Sequence, residues 1–292
     1  MRAVSRLIAE KSMDARDTWQ GRRVLVTGCT GFLGRAVTRE LLDRGVTVAG
    51  LTRDPSHCSD FTRERDSGQF WPVCGRIEDR NRLYSAMVVH EVSAIFHFAS
   101  EGTRGTKTVL SAAGLYHSQV PVIVARPSGQ LRLRNGDEEP IEQPLGIARF
   151  GELIGSGDRK LAGIVSRTAM GLVKGEPATP TESRGRDFVS VRDAANACLL
   201  LAAAVGSTGE SQDYTFRSGF DRNDSEMAKF VADVFAGKTV ATEPPSELPE
   251  NPLGWQAHTT PADAVREAIA WCREVLRTQS SGEGITPLRK VA

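Results

Sequence analysis

This sequence of 292 residues lacks closely spaced cysteine pairs. Their absence argues against a small domain stabilised by disulfides or by zinc. The five cysteines show no CxxC pair and no grouping with histidine at zinc spacing. They are Cys29, Cys58, Cys74, Cys198 and Cys272. We therefore expect free thiols, no bound metal, and a reducing cytoplasmic compartment.

Long apolar runs and an excess of one charge are also missing. The longest apolar run, residues 194–205, is interrupted by Asn196 and is too short to cross a bilayer. Residues 1–19 mix polar and charged types without the apolar stretch of a secretory signal. The net charge is +1, so nothing in the sequence argues for a nucleic-acid or membrane partner. The length suits one large α/β domain, with or without a modest lobe.

The strongest positive signal is the glycine-rich segment Thr27–Gly34, which reads TGCTGFLG. It follows the β-branched run Val24–Val26 and precedes a helical pattern of apolar residues. Strand, glycine turn and helix in this order are typical of a dinucleotide phosphate site. In such a site Gly28 permits the tight turn, Gly31 lets the backbone approach a pyrophosphate, and Gly34 packs the helix on the strand. A purely structural turn is the alternative, which the surrounding pattern disfavours.

The residues after the second predicted strand, Val46–Leu51, bear on the choice of cofactor. Enzymes that use NAD usually carry Asp or Glu at this tip to hold the ribose 2′-hydroxyl. Here the tip reads Thr52-Arg53-Asp54, so the acid is missing and an arginine stands beside the gap. A guanidinium there suits a 2′-phosphate, which favours NADP over NAD. Alternatively, Arg53 is only a solvated loop residue.

Further strand and helix patterns alternate along the chain. Trp71–Cys74, Ala94–Ser100 and Val120–Ala125 are predicted strands, and His97 is interpreted as a core histidine inside the second of these. This alternation predicts an α/β fold, a Rossmann-type doubly wound parallel sheet with a small C-terminal substrate lobe. The predicted cofactor-binding residues are Gly28, Thr30, Gly31, Phe32, Leu33, Gly34, Arg53, Ile77, Phe98, Ala99 and Ser100. The predicted divisions are an N-terminal extension (1–19), a contracted dinucleotide-binding core (20–150), mixed core and substrate lobe (151–276) and a polar tail (277–292).

Taken together, the motifs resemble the extended short-chain dehydrogenase/reductase family, in its nucleotide-sugar epimerase/dehydratase branch. The segments that carry the resemblance are Thr27–Gly34 (TGxxGFLG), Phe96–Ser100 (HxAA), 105–113 (GTxNLLEAA), Ile147–Asp158 (ARFGNxYGPGD), Arg186–Asp193 (RDFVYVxD) and Leu253–Trp255 (LGW). The resemblance covers roughly residues 20 to 276, and the sugar-nucleotide 4,6-dehydratases are the most similar group. The resemblance implies an NAD(P)-dependent enzyme acting on a nucleotide-linked sugar, with Arg149 and Arg186 as substrate contacts.

One element of that family is absent. Its chemistry rests on a Ser or Thr, a Tyr and a Lys, the last two spaced YxxxK so that they are neighbours on one helix. There the lysine lowers the phenol pKa and the tyrosine moves the proton. The three tyrosines are Tyr84, Tyr116 and Tyr214, and the residues four positions on are Val88, Val120 and Ser218. The usual base is therefore missing.

The position of the gap depends on the alignment. If Val120–Ala125 is the fifth strand, Ser128 stands near the family's catalytic serine, and on the order of 30 residues are missing before strand six. If 121–128 is instead strand six, the arginine motif is duplicated and YxxxK is still absent. Glu152 replaces the asparagine of ARFGN, and a carboxylate there disfavours a diphosphate contact. Asp193 is predicted to cap a helix over 194–204.

Three hypotheses follow. In the first, the chain is an enzyme with substituted groups, for which Ser128 and Tyr116 are the catalytic candidates, with His117 beside them. In the second, it is a redox-silent protein that binds a nucleotide, regulates, or performs non-redox chemistry. In the third, it is a shortened inactive paralogue.

The missing helix would also leave one face of the sheet uncovered. The N-terminal segment or a second subunit could cover it. Of these two we expect the second subunit, and therefore a homodimer.

Overall fold

The computed structural model describes residues 19–99, 102–128, 143–176, 185–240 and 251–281. The elements up to residue 150 are β1 (Arg23–Thr27), α1 (Phe32–Asp43), β2 (Thr47–Thr52), a 3₁₀ segment (Pro55–Phe61), α2 (Thr62–Asp66), β3 (Phe70–Cys74), α3 (Arg80–Val89), β4 (Ala94–His97), α4 (Gly102–Tyr116), β5 (Val122–Pro127) and β6 (Leu145–Phe150). The later elements are β7 (Glu152–Ile154), α5 (Ile164–Lys174), β8 (Arg186–Ser190), α6 (Val191–Thr208), β9 (Gln212–Phe216), β10 (Asp221–Arg222), α7 (Asp224–Phe235) and α8 (Pro261–Ser281).

A seven-stranded sheet organises the first part of the chain, with strand order β3-β2-β1-β4-β5-β6-β9. β1 lies between β2 and β4, and the pairs β1–β2, β1–β4, β2–β3 and β4–β5 are parallel. The strand order reverses beside β1, so the loops after β1 and β4 diverge at the carboxyl edge of the sheet. The predicted Rossmann-type doubly wound sheet is confirmed.

The register of β5 decides between the two alignments. Val122 lies opposite Ile95 of β4, and the following strand in the sheet is β6. Residues 122–127 therefore occupy the fifth position and 145–150 the sixth. Residues 129–142, which connect these two strands, lie outside the described part of the chain.

The central strands are covered within one chain. Val24–Val26, Ile95–Phe96 and Val122–Val124 are all buried. On one face they belong to a core cluster that includes Val109 and Leu145. A second subunit is not needed to bury these strands, so the homodimer stays a prediction without that support. The N-terminal segment proposed as the alternative cover lies outside the described residues.

The chain forms two compact units. The first comprises residues 1–149, 195–215 and 251–255, and the second 150–194, 216–250 and 256–292. The second unit has its own three-stranded sheet, β10-β8-β7, and its own apolar core, formed largely by α5, α7 and α8.

The helix predicted over 194–204 begins earlier than expected. α6 starts at Val191, directly after β8, so Asp193 lies inside its first turn. The Asp193 carboxylate instead accepts hydrogen bonds from the backbone amides of His258 (3.2 Å) and Thr259 (3.0 Å). The N-cap assignment is therefore wrong, because the partners of Asp193 come from a distant segment that local patterns do not reveal.

Candidate functional site

Close backbone contacts at two glycines fix the shape of the loop between β1 and α1. Gly28 has φ +73°, and a Cβ there would lie 2.8 Å from the backbone of both Phe98 and Ala99. A Cβ on Gly34 would lie 2.0 Å from the Gly28 carbonyl oxygen. Neither position accepts another residue unless the backbone moves. The geometry agrees with the tight turn and the close helix packing expected at Gly28 and Gly34.

The amino end of α1 faces this loop without an acidic neighbour. The helix is capped by Gly31, which offers no side-chain acceptor, and its first turn contains no acidic residue. The amide of Arg35 donates to the Gly31 carbonyl (2.9 Å), so the three preceding amides have no acceptor within the helix. Oriented amides and the helix dipole at such an end stabilise a phosphate group. These residues therefore fit a dinucleotide pyrophosphate.

At the tip of β2 the nearest acid is occupied by a local role. Asp54 accepts a hydrogen bond from the Ser56 amide (2.9 Å) and caps the 3₁₀ segment. Its hydrogen bonds with Ser56 lower the pKa of the Asp54 carboxyl. Thr52 is buried and donates to the Asp54 carbonyl (2.8 Å), while Arg53 is exposed. The end of β2 therefore exposes the Arg53 guanidinium, at the position where the sequence predicts a contact with a 2′-phosphate.

A chain of polar side chains joins three strands and helix α4 near the carboxyl edge of the sheet. Thr27 Oγ1 lies 2.7 Å from His97 Nδ1, and His97 Nε2 lies 3.1 Å from Thr106 Oγ1. Arg126 donates to the same Thr106 oxygen (3.2 Å). Burial, and then the charge of Arg126, lowers the pKa of His97 to about 4, so the ring is neutral at neutral pH. The interpretation of His97 as a core histidine is confirmed. Sequence reasoning missed the contacts of Thr106 and Arg126, although Thr106 belongs to the motif at 105–113.

The structure does not bring the two catalytic candidates together. Ser128 is exposed and directly follows β5, at the edge where the parallel strands end. Tyr116 is the last residue of α4 and precedes β5, with its ring packed against the core. A strand of this length spans about 20 Å, so the two residues lie at opposite edges of the sheet. His117 is exposed at the same edge as Tyr116.

The other predicted cofactor residues are distributed around the loop. Phe98 and Ala99 are half-buried after β4 and contact Gly28, whereas Ser100 lies outside the described residues. Thr30 and Phe32 are half-buried and Leu33 is buried. Ile77 is buried in the core cluster beside β3.

The first predicted substrate arginine, Arg149, is paired within the first unit. It lies on β6 and donates from two nitrogens to the carboxylate of Asp213, at 2.6 and 2.8 Å. The arginine is 8% exposed whereas Asp213 is exposed, so this two-point ion pair lies at the surface of the unit.

The second predicted substrate arginine, Arg186, meets two carboxylates of the second unit. Its Nε donates to Glu152 Oε2 (2.6 Å), and its Nη2 donates to Asp224 Oδ1. The other oxygen of Glu152 accepts the amide of Ile164 (2.8 Å), the first residue of α5. Glu152 therefore engages both a guanidinium and a helix amino end, the two features that would otherwise attract an anion.

Asp187, next to Arg186, holds a turn. Its carboxylate accepts the amides of Ser218 (3.0 Å) and Gly219 (2.8 Å). Burial is the largest effect on this carboxyl and raises its pKa. The sequence motif at 186–193 did not reveal this role, because residues 218–219 come from a different part of the chain.

The described part of the chain offers neither a membrane-spanning helix nor a cluster of metal ligands. None of their helices combines the length and the apolar character needed to cross a membrane. None of their His, Cys, Asp and Glu side chains gather in a group of three able to hold a metal ion.

Comparison with known proteins connects this site to a family. Residues 24–121 match the model of the NAD dependent epimerase/dehydratase family. A CDP-glucose 4,6-dehydratase from Salmonella typhimurium is 32% identical over 87 residues, which is 30% of this chain. The match spans 24% of that enzyme's own length.

Solved structures extend the likeness of fold over most of the chain. A UDP-glucose 4-epimerase from Thermotoga maritima, solved with UDP-glucose, has a TM-score of 0.68 at 17% identity and covers 87% of this chain and 99% of its own. A dTDP-glucose 4,6-dehydratase from Bacillus anthracis, in complex with NAD, has a TM-score of 0.67 at 15% identity and covers 87% and 97%. Over residues 24–121 the chain is thus similar to the NAD dependent epimerase/dehydratase family, and over most of its length it has the fold of solved sugar-nucleotide epimerases and dehydratases.

Proposed function

We propose that the protein binds NADP(H) at the Gly28–Gly34 loop and acts on a nucleotide-linked sugar or a related small molecule. The observation that carries the first part is the loop itself, where Gly34 packs against the Gly28 carbonyl and α1 presents its amino end. When bound, the cofactor would supply hydride exchange. The family match over 24–121 and the sugar-nucleotide enzymes among the structural neighbours support the second part.

We further propose that the usual Ser/Tyr/Lys mechanism is impaired or replaced. No tyrosine of the chain is followed by lysine four residues on. Ser128 remains the candidate at the end of β5, and Arg126, two residues earlier, belongs to the polar chain that includes neutral His97. Tyr116 is not retained as its partner, since it lies at the opposite edge of the sheet.

The cofactor preference is tested by titration. We expect the wild-type protein to bind NADP(H) more tightly than NAD(H), because Arg53 is exposed at the tip of β2 and Asp54 is engaged in capping. Arg53→Ala should weaken NADP(H) binding about tenfold, the loss of one charge-assisted contact, and leave NAD(H) binding unchanged. Arg76→Ala removes an exposed arginine after β3 and serves as the matched control. Equal affinities for both cofactors in the wild type would contradict the preference.

The impaired mechanism is tested by turnover. We expect little or no hydride cycling on UDP-, dTDP-, GDP- or CDP-hexoses, since losing the general acid–base pair costs on the order of 10² to 10⁴ in rate. The measurement is the transient absorbance of reduced nicotinamide together with product analysis. Turnover at roughly 1 to 10³ per second would show that another group performs the proton transfer.

A second candidate function is that of a redox-silent protein that binds a nucleotide for regulation or for non-redox chemistry. The contact of Glu152 with both Arg186 and the amino end of α5 favours it, because an anionic substrate would have to displace an internal carboxylate. Mass spectrometry of the small molecules that co-purify with the protein separates the two. A bound dinucleotide with a sugar nucleotide supports the enzyme, and a dinucleotide alone supports the binding protein.

A further inference from the structure

One arginine at the carboxyl edge of the first unit's sheet has no carboxylate partner among the described residues. Arg126 lies near the end of β5 and is half-buried. Its Nη2 donates to the hydroxyl of Thr106 at 3.2 Å, and no described acid pairs with it. By contrast, Arg149 on β6 and Arg186 on β8 each pair with a carboxylate. Of these three arginines, Arg126 is the one whose charge the described residues do not neutralise.

The register of the sheet places Arg126 at the ligand-binding edge. Thr27 of β1 lies opposite His97 of β4, which lies opposite Val124 of β5. Arg126 is two residues further along β5, about 7 Å beyond this level. Side chains two positions apart in a strand point to the same face, and Val124 packs in the core cluster with Val109 of α4. The guanidinium therefore lies on the α4 face, at the edge where open α/β sheets bind their ligands.

The described neighbours of the guanidinium in the polar chain are uncharged. Thr106 is 3% exposed and also lies 3.1 Å from the ring of His97. That ring is neutral, because burial and the charge of Arg126 lower the pKa of His97 to about 4. The first turn of α4 contains no acidic residue. A half-buried cation among neutral groups attracts an anion more strongly than a fully solvated arginine does.

The guanidinium keeps donors for such an anion. Arginine presents its N–H groups in a planar fork, and one nitrogen of this fork reaches Thr106. The remaining donors match the paired oxygens of a carboxylate or a phosphate group. Arg126 therefore has both the charge and the geometry for a two-point contact with an oxyanion.

The cofactor of the proposed function does not supply this oxyanion. Its phosphates are assigned to the amino end of α1, directly after β1. β5 is two strands away from β1, which separates their backbones by about 10 Å. A dinucleotide crosses the sheet where the strand order reverses, so the half that extends towards β5 is the nicotinamide nucleoside, which carries no negative charge. An anion at Arg126 would therefore belong to a second ligand.

We propose that Arg126 binds an anionic group on the sugar substrate, a carboxylate or a phosphate, and so selects sugar acids or sugar phosphates over neutral sugars. This inference names the substrate class of the proposed function and rests on it. The contact would hold the sugar beside Ser128, the candidate hydroxyl two residues further along the chain. Removing the charge of Arg126 would therefore weaken the binding of anionic sugars and leave that of neutral sugars unchanged.

The test compares three small sugars on the full-length chain at neutral pH. D-glucuronate carries a carboxylate, D-glucose 6-phosphate carries a phosphate, and D-glucose is neutral. Ligand-observed NMR titrations measure their affinities with and without NADP(H). Arg126→Gln removes the charge but keeps an amide that can donate to Thr106, and Arg126→Lys keeps the charge without the fork. Arg104→Gln, which removes an exposed arginine of α4, is the matched control, and circular dichroism checks that each variant is folded.

We expect the wild type to bind at least one anionic sugar about tenfold more tightly than glucose, which is the gain from one charge-assisted contact. Arg126→Gln should abolish this preference, Arg126→Lys should keep part of it, and Arg104→Gln should keep all of it. The anionic sugar that binds more tightly identifies the group as carboxylate or phosphate.

Three results would overturn the inference. The first is a wild type that binds neither anionic sugar more tightly than glucose. The second is a preference that survives Arg126→Gln, and the third is a loss of NADP(H) affinity in that variant with the sugar preference intact. If the wild type binds no dinucleotide, the proposed cofactor site fails, while the titrations without NADP(H) still decide the role of Arg126.

Discussion

The buried imidazole of His97 places a titratable group in the core of the first unit. The ring is 4% exposed and lies between Thr27 and Thr106, with Arg126 nearby. Adding a proton would place a second cation beside Arg126 in a site that excludes water. The folded protein therefore favours the neutral ring much more strongly than the unfolded chain does.

This difference predicts a pH dependence of stability. The folded pKa of about 4 lies below the ordinary 6.5, so the unfolded chain takes up the proton first as the pH falls. The contribution is fully present above pH 6.5 and is lost between pH 6.5 and 4, at a cost of about 3 kcal/mol. The free energy of unfolding, measured in urea across this range, should change less steeply with pH in His97→Asn than in the wild type. His117→Asn, which removes an exposed histidine, should keep the wild-type slope. An identical slope in His97→Asn would contradict this account.

At the scale of single residues, the sequence predicts a residue's role where that role depends only on its neighbours along the chain. Gly28 and Gly34 stand at fixed offsets in a motif whose backbone geometry requires them. Asp193 shows the limit, because its partners His258 and Thr259 lie far along the chain. An Asp before an apolar run looks like a cap from sequence alone, and only the tertiary fold reveals a different role.

At the scale of elements, the amino end of α5 is closed by the chain's own side chains. Glu152 accepts the first helical amide and pairs with Arg186, and Asp158 accepts the amide of Gly163 (3.2 Å). The carboxylate of Glu152 has the charge and the contacts that a phosphate group would have there. Removing its charge should therefore create an anion site.

We expect Glu152→Gln to bind inorganic pyrophosphate at least about tenfold more tightly than the wild type, a change of ~1.4 kcal/mol. Glutamine keeps the length and one acceptor oxygen but removes the negative charge beside Arg186. Isothermal titration calorimetry measures the difference. Glu267→Gln, which removes a carboxylate that pairs with exposed Arg192 in the same unit, controls for the charge change. Wild-type affinity equal to that of Glu152→Gln would show that Glu152 does not exclude anions.

Most strands could be predicted from sequence, because an apolar β-branched run in a parallel sheet is buried on both faces and needs no partner to be recognised. The predicted strands 24–26, 46–51, 71–74 and 120–125 overlap β1, β2, β3 and β5. β9 could not be foreseen. Its alternating burial is that of an edge strand, and its place beside β6 depends on a return of the chain that no local pattern encodes.

At the scale of the molecule, the division into two units predicts where a cofactor acts. All parts of the phosphate site belong to the first unit, and the second has its own core. A ligand that binds only the native state stabilises it by about 2.7 kcal/mol at one hundred times its Kd. We expect NADP(H) to slow hydrogen exchange in peptides covering 23–34 and 47–53. Peptides from α5 and α7 should be unaffected, and equal protection there would contradict a site confined to the first unit.

The late arrival of β9 has a consequence for synthesis of the chain. β7, α5, β8 and α6 are all made between β6 and β9, so the sheet cannot be completed until residue 216 has emerged from the ribosome. Until then the entirely buried strand β6 has an open edge, and Arg149 lacks its partner Asp213. Open apolar edges recruit other chains, and long-range pairing is slow. We therefore expect the nascent chain to associate with other chains most readily while residues 151–216 are being synthesised.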